Sequence, residues 1–146
     1  MSGTVAWRSL VRQSEFQKIY AGGAKSVGRL LVVYVLPAAD AARAVVASRK
    51  VGGAVQRNRA KRLLREAFRK GTLRNAAAGS MSLRPSVAVA PAEDAGAAAP
   101  HLWVVLVARR NILAAGSAEV QDELETLLRA LMCDREEAGP GDRAQA

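Results

Sequence analysis

Ser48-Arg-Lys-Val-Gly-Gly-Ala-Val-Gln-Arg-Asn-Arg-Ala-Lys-Arg-Leu-Leu-Arg-Glu-Ala-Phe-Arg69 is the stretch from which the rest of the chain can be read. Its paired glycines, Gly52 and Gly53, end an extended segment and let a helix begin. From Ala54 to about Lys70 the spacing predicts a helix, which at about 100° per residue separates into two faces. Leu63, Ala67, Ala60, Leu64 and Phe68 form an apolar stripe. Arg57, Lys61, Arg65, Asn58, Arg69 and Arg62 fill a continuous arc away from it, with Arg59 just beyond. Glu66 alone interrupts the positive charge and is expected to pair with Arg62, four residues earlier.

Working outward, Ala44 to Ser48 reads as a strand whose extended character continues through Arg49-Lys50-Val51. Before it, Leu30-Leu-Val-Val-Tyr-Val-Leu36 is β-branched, has strand length and is expected to stop at Pro37, with Asp40 and its alanine neighbours making the turn. Ser14 and Gln17 have capping-box spacing, and Phe16, Ile19 and Tyr20 recur at helical intervals until Gly22-Gly23. A short helix is therefore predicted over about 14–21. Downstream, Gly71 to Pro100 is rich in Ala, Gly, Pro and Ser with no hydrophobic period. It is expected to be a flexible surface insertion in which Val87-Ala-Val89 makes at most a brief extended contact. Trp103 to Ala108 is a further apolar strand, ended by Arg109-Arg110-Asn111. A last helix starts near Ser117 and buries Val120, Leu124, Leu127, Leu128 and Leu131. Residues 134–146 read as a disordered polar tail. The order α, β, β, α, insertion, β, α describes an α/β layer structure in one domain, a small sheet with helices packed on it.

Of the 146 residues, 50% are hydrophobic but only 4% aromatic, so the core must be built mostly from Val, Leu and Ala. The longest apolar runs, 30–36 and 102–108, fall far short of the ~18 residues a membrane span needs. The N-terminus lacks a secretory h-region, and Cys133, the one cysteine, cannot form an internal disulfide. Cytoplasmic residence is the default expectation. The formal net charge is +9, and residues 1–90 hold 17 basic and 3 acidic side chains whereas residues 91–146 hold 5 and 10. The anion-facing surface therefore belongs to the first two thirds, and its partner is expected to be a polyanion.

Arginine outnumbers lysine on the basic helix, and its planar fork matches phosphate oxygens and stacks on bases, which suits folded RNA. A solvated charged face is the plainer alternative, though such faces usually mix both signs. The Asn58 amide can meet a ribose or base edge, and Asn is also tolerated in a first helical turn. Gly52-Gly53 lacks the Gly-Lys-Ser/Thr continuation of a phosphate-binding loop and reads as a turn. Phe16, Tyr20 and Tyr34 have two readings, a surface on which bases stack and, favoured by helical spacing, core packing. Ser48, Arg49 and Lys50 extend the basic surface toward the helix, and Arg109 and Arg110 can do so from the last strand. Protein-borne catalysis is poorly supplied: His101 and Cys133 belong to no ligand cluster, and Glu119, Asp122, Glu123 and Glu125 suit the start of a helix and solvent.

The Ser48–Arg69 stretch closely resembles the signature of the bacterial ribonuclease P protein family, joining strand end, glycine turn, Arg-Asn-Arg and basic helix in one order. The resemblance also covers Glu15-Phe-Gln-Lys-Ile-Tyr20, Arg29 to Leu36, and Val104 to Arg110 with the last helix. It implies a two-layer α-β-β-β-α-β-α sandwich over residues 8–133, like certain ribosomal proteins, with a left-handed βαβ crossover around the basic helix. It further implies binding to a catalytic RNA and to the 5′ leader of precursor tRNA, with Mg2+ held by the RNA performing the hydrolysis. By position, Arg57, Asn58, Arg59, Lys61, Arg62, Arg65 and Arg69 resemble the RNA-subunit contacts. Phe16, Tyr20 and Tyr34 resemble the leader cleft, with Ser48, Arg49 and Lys50 near its rim, which reverses the packing preference for the aromatics. The family's link into the last strand is short and ends in an aspartate; here it is long and Trp103 stands in that place, so no metal contact is assigned there. A noncatalytic RNA-binding protein of ribosome assembly is the alternative function, and a DNA-compacting protein a third.

Overall fold

The computed structural model describes residues 7–75, 81–84 and 101–134. In chain order they form β1 (Arg8–Ser9), α1 (Gln13–Gly22), β2 (Ala24–Val27), β3 (Leu31–Ala38), β4 (Ala42–Val46), α2 (Ala54–Lys70), α3 (Thr72–Asn75), β5 (Met81–Leu83), β6 (His101–Ala108), a 3-10 turn (Arg110–Ala114), α4 (Ser117–Leu131) and β7 (Met132–Asp134). Five strands make one mixed sheet in the order β1-β4-β6-β3-β2, and β5 pairs with β7 apart from it. Setting aside the short edge pieces, the order is the α-β-β-β-α-β-α that the resemblance implies.

The apolar strands β3 and β6 sit side by side at the centre and pair antiparallel, from Leu31 opposite Ala108 to Ala38 opposite His101. On β6's other side β4 runs parallel to it, Ala42 opposite Trp103 and Val46 opposite Val107. Parallel neighbours cannot be joined by a tight turn, and α2 lies in the crossover between them. Strand alternation divides the side chains between two faces. Leu31, Val33, Val35, Leu102, Val104 and Leu106 meet Ala60, Leu64, Ala67 and Phe68 of α2 and Val120, Leu124, Leu127, Leu128 and Leu131 of α4. Both helical stripes are buried as predicted, with Leu63 packed at the margin of this core. The opposite face, with Leu36, Trp103, Val105, Ala42 and Ala44, is covered by Leu10 and by Ile19 of α1.

Several boundaries differ from the sequence reading, each for a local reason. Strand β3 passes through Pro37, which pairs with Leu102. The Leu31 carbonyl accepts from Gly28 on the β2 side, so by alternation the Pro37 nitrogen points that way, beyond Ala24 where β2 has ended, and no ladder bond is lost. Strand β4 ends at Val46, and Arg49-Lys50-Val51 is a turn rather than extended chain. The Val51 and Gly52 amides donate to the carbonyls of Ser48 and Arg49 (3.0 and 3.2 Å), and the Lys50 amide donates to Ser48 Oγ. Helix α1 is capped by Glu15, whose carboxylate accepts from the Val11 and Arg12 amides, not by the Ser14 and Gln17 pair. Within the stretch expected to be a flexible insertion, Thr72–Asn75 is helical and Met81–Leu83 pairs with Met132–Asp134, so Asp134 belongs to a strand. The remainder of 76–100, including Val87 to Val89, and residues 135–146 lie outside the described residues.

Of the α4 acids, Glu119 caps its own helix start and Asp122 is exposed, as expected, whereas Glu123 and Glu125 clamp other elements. Glu123 Oε2 accepts from the Leu30 and Leu31 amides (2.6 and 3.1 Å), Glu125 from the Thr72 amide (3.0 Å) and Glu119 from the Gly116 amide (3.1 Å). At the other edge Arg8 bridges Glu15 and Asp40, and Asp40 also accepts from Trp103 Nε1 (2.9 Å). These bonds tie the N-terminal segment to α1, to the β3–β4 turn and to β6.

The Arg8 hydrogen bond, aided by that of Trp103, outweighs burial and holds the Asp40 carboxyl below its ordinary range. Burial pushes Glu15 up, but hydrogen bonds from Arg8 and the Arg12 backbone more than reverse it. Both folded values are depressed, so the stability they contribute is present above the ordinary values of 3.8 and 4.5 and is lost as pH falls through the lower folded ones. Urea unfolding from pH 6 down to pH 3 should show this loss setting in below about pH 4.5. In Asp40→Asn the loss should be smaller, and the variant should cost under about 1 kcal/mol at pH 7 because the ion pair is exposed.

Candidate nucleic-acid interface

Helix α2 carries the charge because its inward stripe is apolar and its outward arc has nowhere to go but solvent. Arg59, Arg62, Arg65, Arg69 and Asn58 are exposed, whereas Arg57 and Lys61 are half-buried. Arg57 Nη1 donates to the Gly52 carbonyl (3.2 Å), which holds that guanidinium at the head of the helix. Glu66 pairs with Lys70 (2.9 Å), one turn later, not with Arg62 as the sequence suggested. Its carboxyl is lowered by the Lys70 hydrogen bond. The predicted arc is thus present on one helix, and its sole acid is drawn to the C-terminal end of that helix.

The entry to α2 depends on Gly52, the one described residue with positive φ (151°). A Cβ there would stand 2.9 Å from Gln56 Cβ. Gln56 is held in place because its Oε1 accepts from the Gly53 amide (2.8 Å).

On the sheet face under α1 the three predicted aromatics come together. The Phe16 and Tyr20 rings lie 6.1 Å apart, and Tyr20 meets Tyr34 edge to face at 4.8 Å. Lys25 Nζ lies 6.0 Å from the Tyr34 ring centroid. Phe16 and Tyr34 pack on the core beneath them while Tyr20 is 42% exposed, so packing and surface readings both hold in part. Burial and then the neighbouring Tyr34 raise the Tyr20 hydroxyl above its ordinary value, and it stays neutral. Because α1 has only ten residues, it leaves the next row of the sheet open, and Val32, Val46 and Val107 are half-buried there.

Beyond that row, Ser48, Lys50 and Val51 after β4 and Val107, Ala108, Arg109 and Arg110 at the end of β6 line one cleft. Arg109 and Arg110, singled out only as an extension of charge, thus share a site with Ser48 and Lys50. Arg109 is anchored by Nη1 donating to the Gly28 carbonyl (3.0 Å). Arg49 is exposed on the turn beside this cleft but does not line it. From the Tyr34 row to Arg109 the strand advances four residues, ~13 Å, along an apolar floor with aromatics at one end and cations at the other. Among the described residues no three His, Cys, Asp or Glu side chains converge as metal ligands, and no helix is long and apolar enough to cross a membrane.

A basic α/β domain with a cationic helix beside an aromatic-lined, open sheet face is the class this geometry defines. The chain belongs to the ribonuclease P protein family, which it matches over residues 6–132. It is 44% identical over 62 residues to the ribonuclease P protein component of Dehalococcoides mccartyi, covering 41% of this chain and 52% of that one. Against the component from Clostridioides difficile it is 39% identical over 64 residues, covering 42% and 56%. The chain thus spans about half the length of these curated relatives. The fold is that of the Staphylococcus aureus RNase P protein (TM-score 0.58, 22% identity, 83% of this chain and 92% of that one). The Thermotoga maritima RNase P protein gives the same TM-score of 0.58 at 21% identity, over 84% and 96%.

Gly52→Ala should destabilise the protein by ~1–3 kcal/mol, since it combines an unfavourable φ with a close contact. A urea titration followed by circular dichroism measures this. Gly116→Ala, where a Cβ meets nothing within 4 Å, should change much less.

Proposed function

We propose that this chain is the protein subunit of ribonuclease P, binding a catalytic RNA and the 5′ leader of precursor tRNA so that the RNA cuts at the mature 5′ end. The observation that carries this reading is the joining of two surfaces by one turn. The cationic arc of α2 begins where the Ser48–Val51 turn lines the cleft that Arg109 and Arg110 share, one strand row beyond the sheet face that carries the aromatics. Arg57, Asn58, Arg59, Lys61, Arg62, Arg65 and Arg69 contact the RNA subunit, mostly through phosphates. Phe16, Tyr20 and Tyr34 offer stacking surfaces to single-stranded leader bases, which every base can use. Ser48, Arg49 and Lys50, joined by Arg109 and Arg110, receive leader phosphates at the far end. Mg2+ is held by the RNA subunit and supplies the activated water and charge stabilisation for phosphodiester hydrolysis. The protein's part is to hold the substrate in register and to neutralise charge that magnesium would otherwise have to screen. The setting is the bacterial cytoplasm.

The test is cleavage of 5′-labelled precursor tRNA by a bacterial ribonuclease P RNA at low magnesium, with and without the protein. Correct 5′ maturation should appear only with the protein. Arg59→Ala with Arg62→Ala should weaken assembly with the RNA, whereas Tyr34→Ala should weaken binding of leader-bearing precursor and leave mature tRNA binding unchanged. Tight binding to folded RNA without stimulation of cleavage would instead assign the chain to structural RNA binding.

A further inference from the structure

The turn between β2 and β3 is gripped from two sides. Two consecutive peptide units direct their amides at α4, where Glu123 Oε2 accepts from Leu30 and Leu31 (2.6 and 3.1 Å). The carbonyls of the same two units face the end of β6. Leu30 O accepts from the Arg109 amide (2.9 Å), and Arg29 O accepts from Asn111 Nδ2 (3.4 Å). One residue earlier, the Gly28 carbonyl accepts from Arg109 Nη1 (3.0 Å). Position 28 has no room for a side chain, because a Cβ there would overlap the Glu123 carboxylate.

Glu123 is half-buried on the helical layer and takes no part in lining the cleft, whereas Arg109 is exposed and lines it. The turn joins the two by a chain of hydrogen bonds through its peptide groups. A carboxylate on the amide side polarises each peptide and strengthens its carbonyl as an acceptor. Without that carboxylate two part-buried amides lose their acceptor, and the turn that holds Arg109 is released. An arginine already held by a carbonyl has less rotamer freedom to lose when it takes a phosphate, and it keeps further N–H donors for that ligand. The guanidinium of Arg110, next in the chain and in the same cleft, has no such anchor among the described residues. We propose that Glu123 is a positioning residue for leader binding, which by holding the β2–β3 turn fixes Arg109 where the cleft takes a leader phosphate. This rests on the reading of the cleft given above. It adds a carboxylate that the leader never touches, and Gly28, whose missing side chain lets that carboxylate approach.

The test uses the full chain reconstituted with a bacterial ribonuclease P RNA. Affinity for precursor tRNA bearing its 5′ leader is compared with affinity for mature tRNA, and melting temperatures are measured alongside. Glu123→Ala should weaken precursor binding about tenfold, the scale of one charge-assisted hydrogen bond, and leave mature tRNA binding unchanged. Glu123→Gln keeps an acceptor facing both amides and should restore most of the loss. Gly28→Ala displaces the carboxylate and should resemble Glu123→Ala. Because Glu123 acts through Arg109, Glu123→Ala should cost little in an Arg109→Ala background but its full amount in an Arg110→Ala background. Should Glu123→Ala fail to fold, Gly28→Ala in the same two backgrounds carries the comparison. Losses that add with Arg109→Ala, or that weaken mature tRNA binding equally in step with a lowered melting temperature, make Glu123 a stability residue and overturn the proposal. Full precursor affinity in Glu123→Ala, with Arg109→Ala still weakening it, overturns the positioning role and leaves the cleft reading intact. If Arg109→Ala has no effect either, its leader role and this proposal fail together, and Tyr34→Ala decides separately whether the cleft binds the leader.

Discussion

Two strands that run parallel side by side cannot be connected along their shared edge, so the chain between β4 and β6 has to cross the sheet. Helix α2 lies in that crossing, and most of what the molecule can do follows from it. Burial of Ala60, Leu64, Ala67 and Phe68 against the sheet fixes the roll of the helix, and the arginines on its other side are thereby presented together to solvent. The same parallel pairing sets the carboxyl ends of β4 and β6 next to each other. Residues just past those ends, Ser48 and Lys50 from one and Arg109 and Arg110 from the other, therefore share a cleft although they are far apart in sequence. Beyond the carboxyl ends of parallel strands is where open α/β sheets commonly place their ligand groups.

The charges are sorted as well as concentrated. The acidic last third of the chain contributes α4, whose Glu119, Glu123 and Glu125 are each occupied by backbone amides, two of them on other elements. Glu15 and Asp40 are drawn onto Arg8 at the β1 edge. Acids that would otherwise neutralise α2 are thus engaged elsewhere as structural acceptors, and the outward arc of α2 keeps its sign.

The cleft has a different origin, the shortness of one helix. Ten residues of α1 cover the sheet rows of Leu36 and Tyr34 but not the row of Val32, Val46 and Val107. A half-covered apolar strip bordered by aromatics and cations is poorly suited to remain a protein core and well suited to an unstacked base with its phosphate. Phe16 and Tyr34 pack on the cluster of Ile19 and Val105 while Tyr20 beside them stays exposed, so the packing and surface readings are divided among the three aromatics.

The sequence by itself determined the elements whose pattern is local. The two amphipathic helices, the cationic arc from Arg57 to Arg69 and the apolar strands β3 and β6 each carry their own periodicity, so burial follows from spacing alone. It also carried the specific run from Ser48 to Arg69 that marks the family. Tertiary structure decided whatever depended on a partner distant in sequence. Pro37 stays in a strand because β2 ends short of it, and Met81–Leu83 pairs because Met132–Asp134 comes alongside. Glu66 has cations one turn away on both sides and pairs with Lys70, a choice that spacing alone leaves open. Arg43 is one more arginine in a basic chain until the alternation of β4 and the roll of α2 set it over Phe68. Periodicity records which face a residue takes, but the identity of its neighbour across that face is set by register and crossover, which no local pattern encodes.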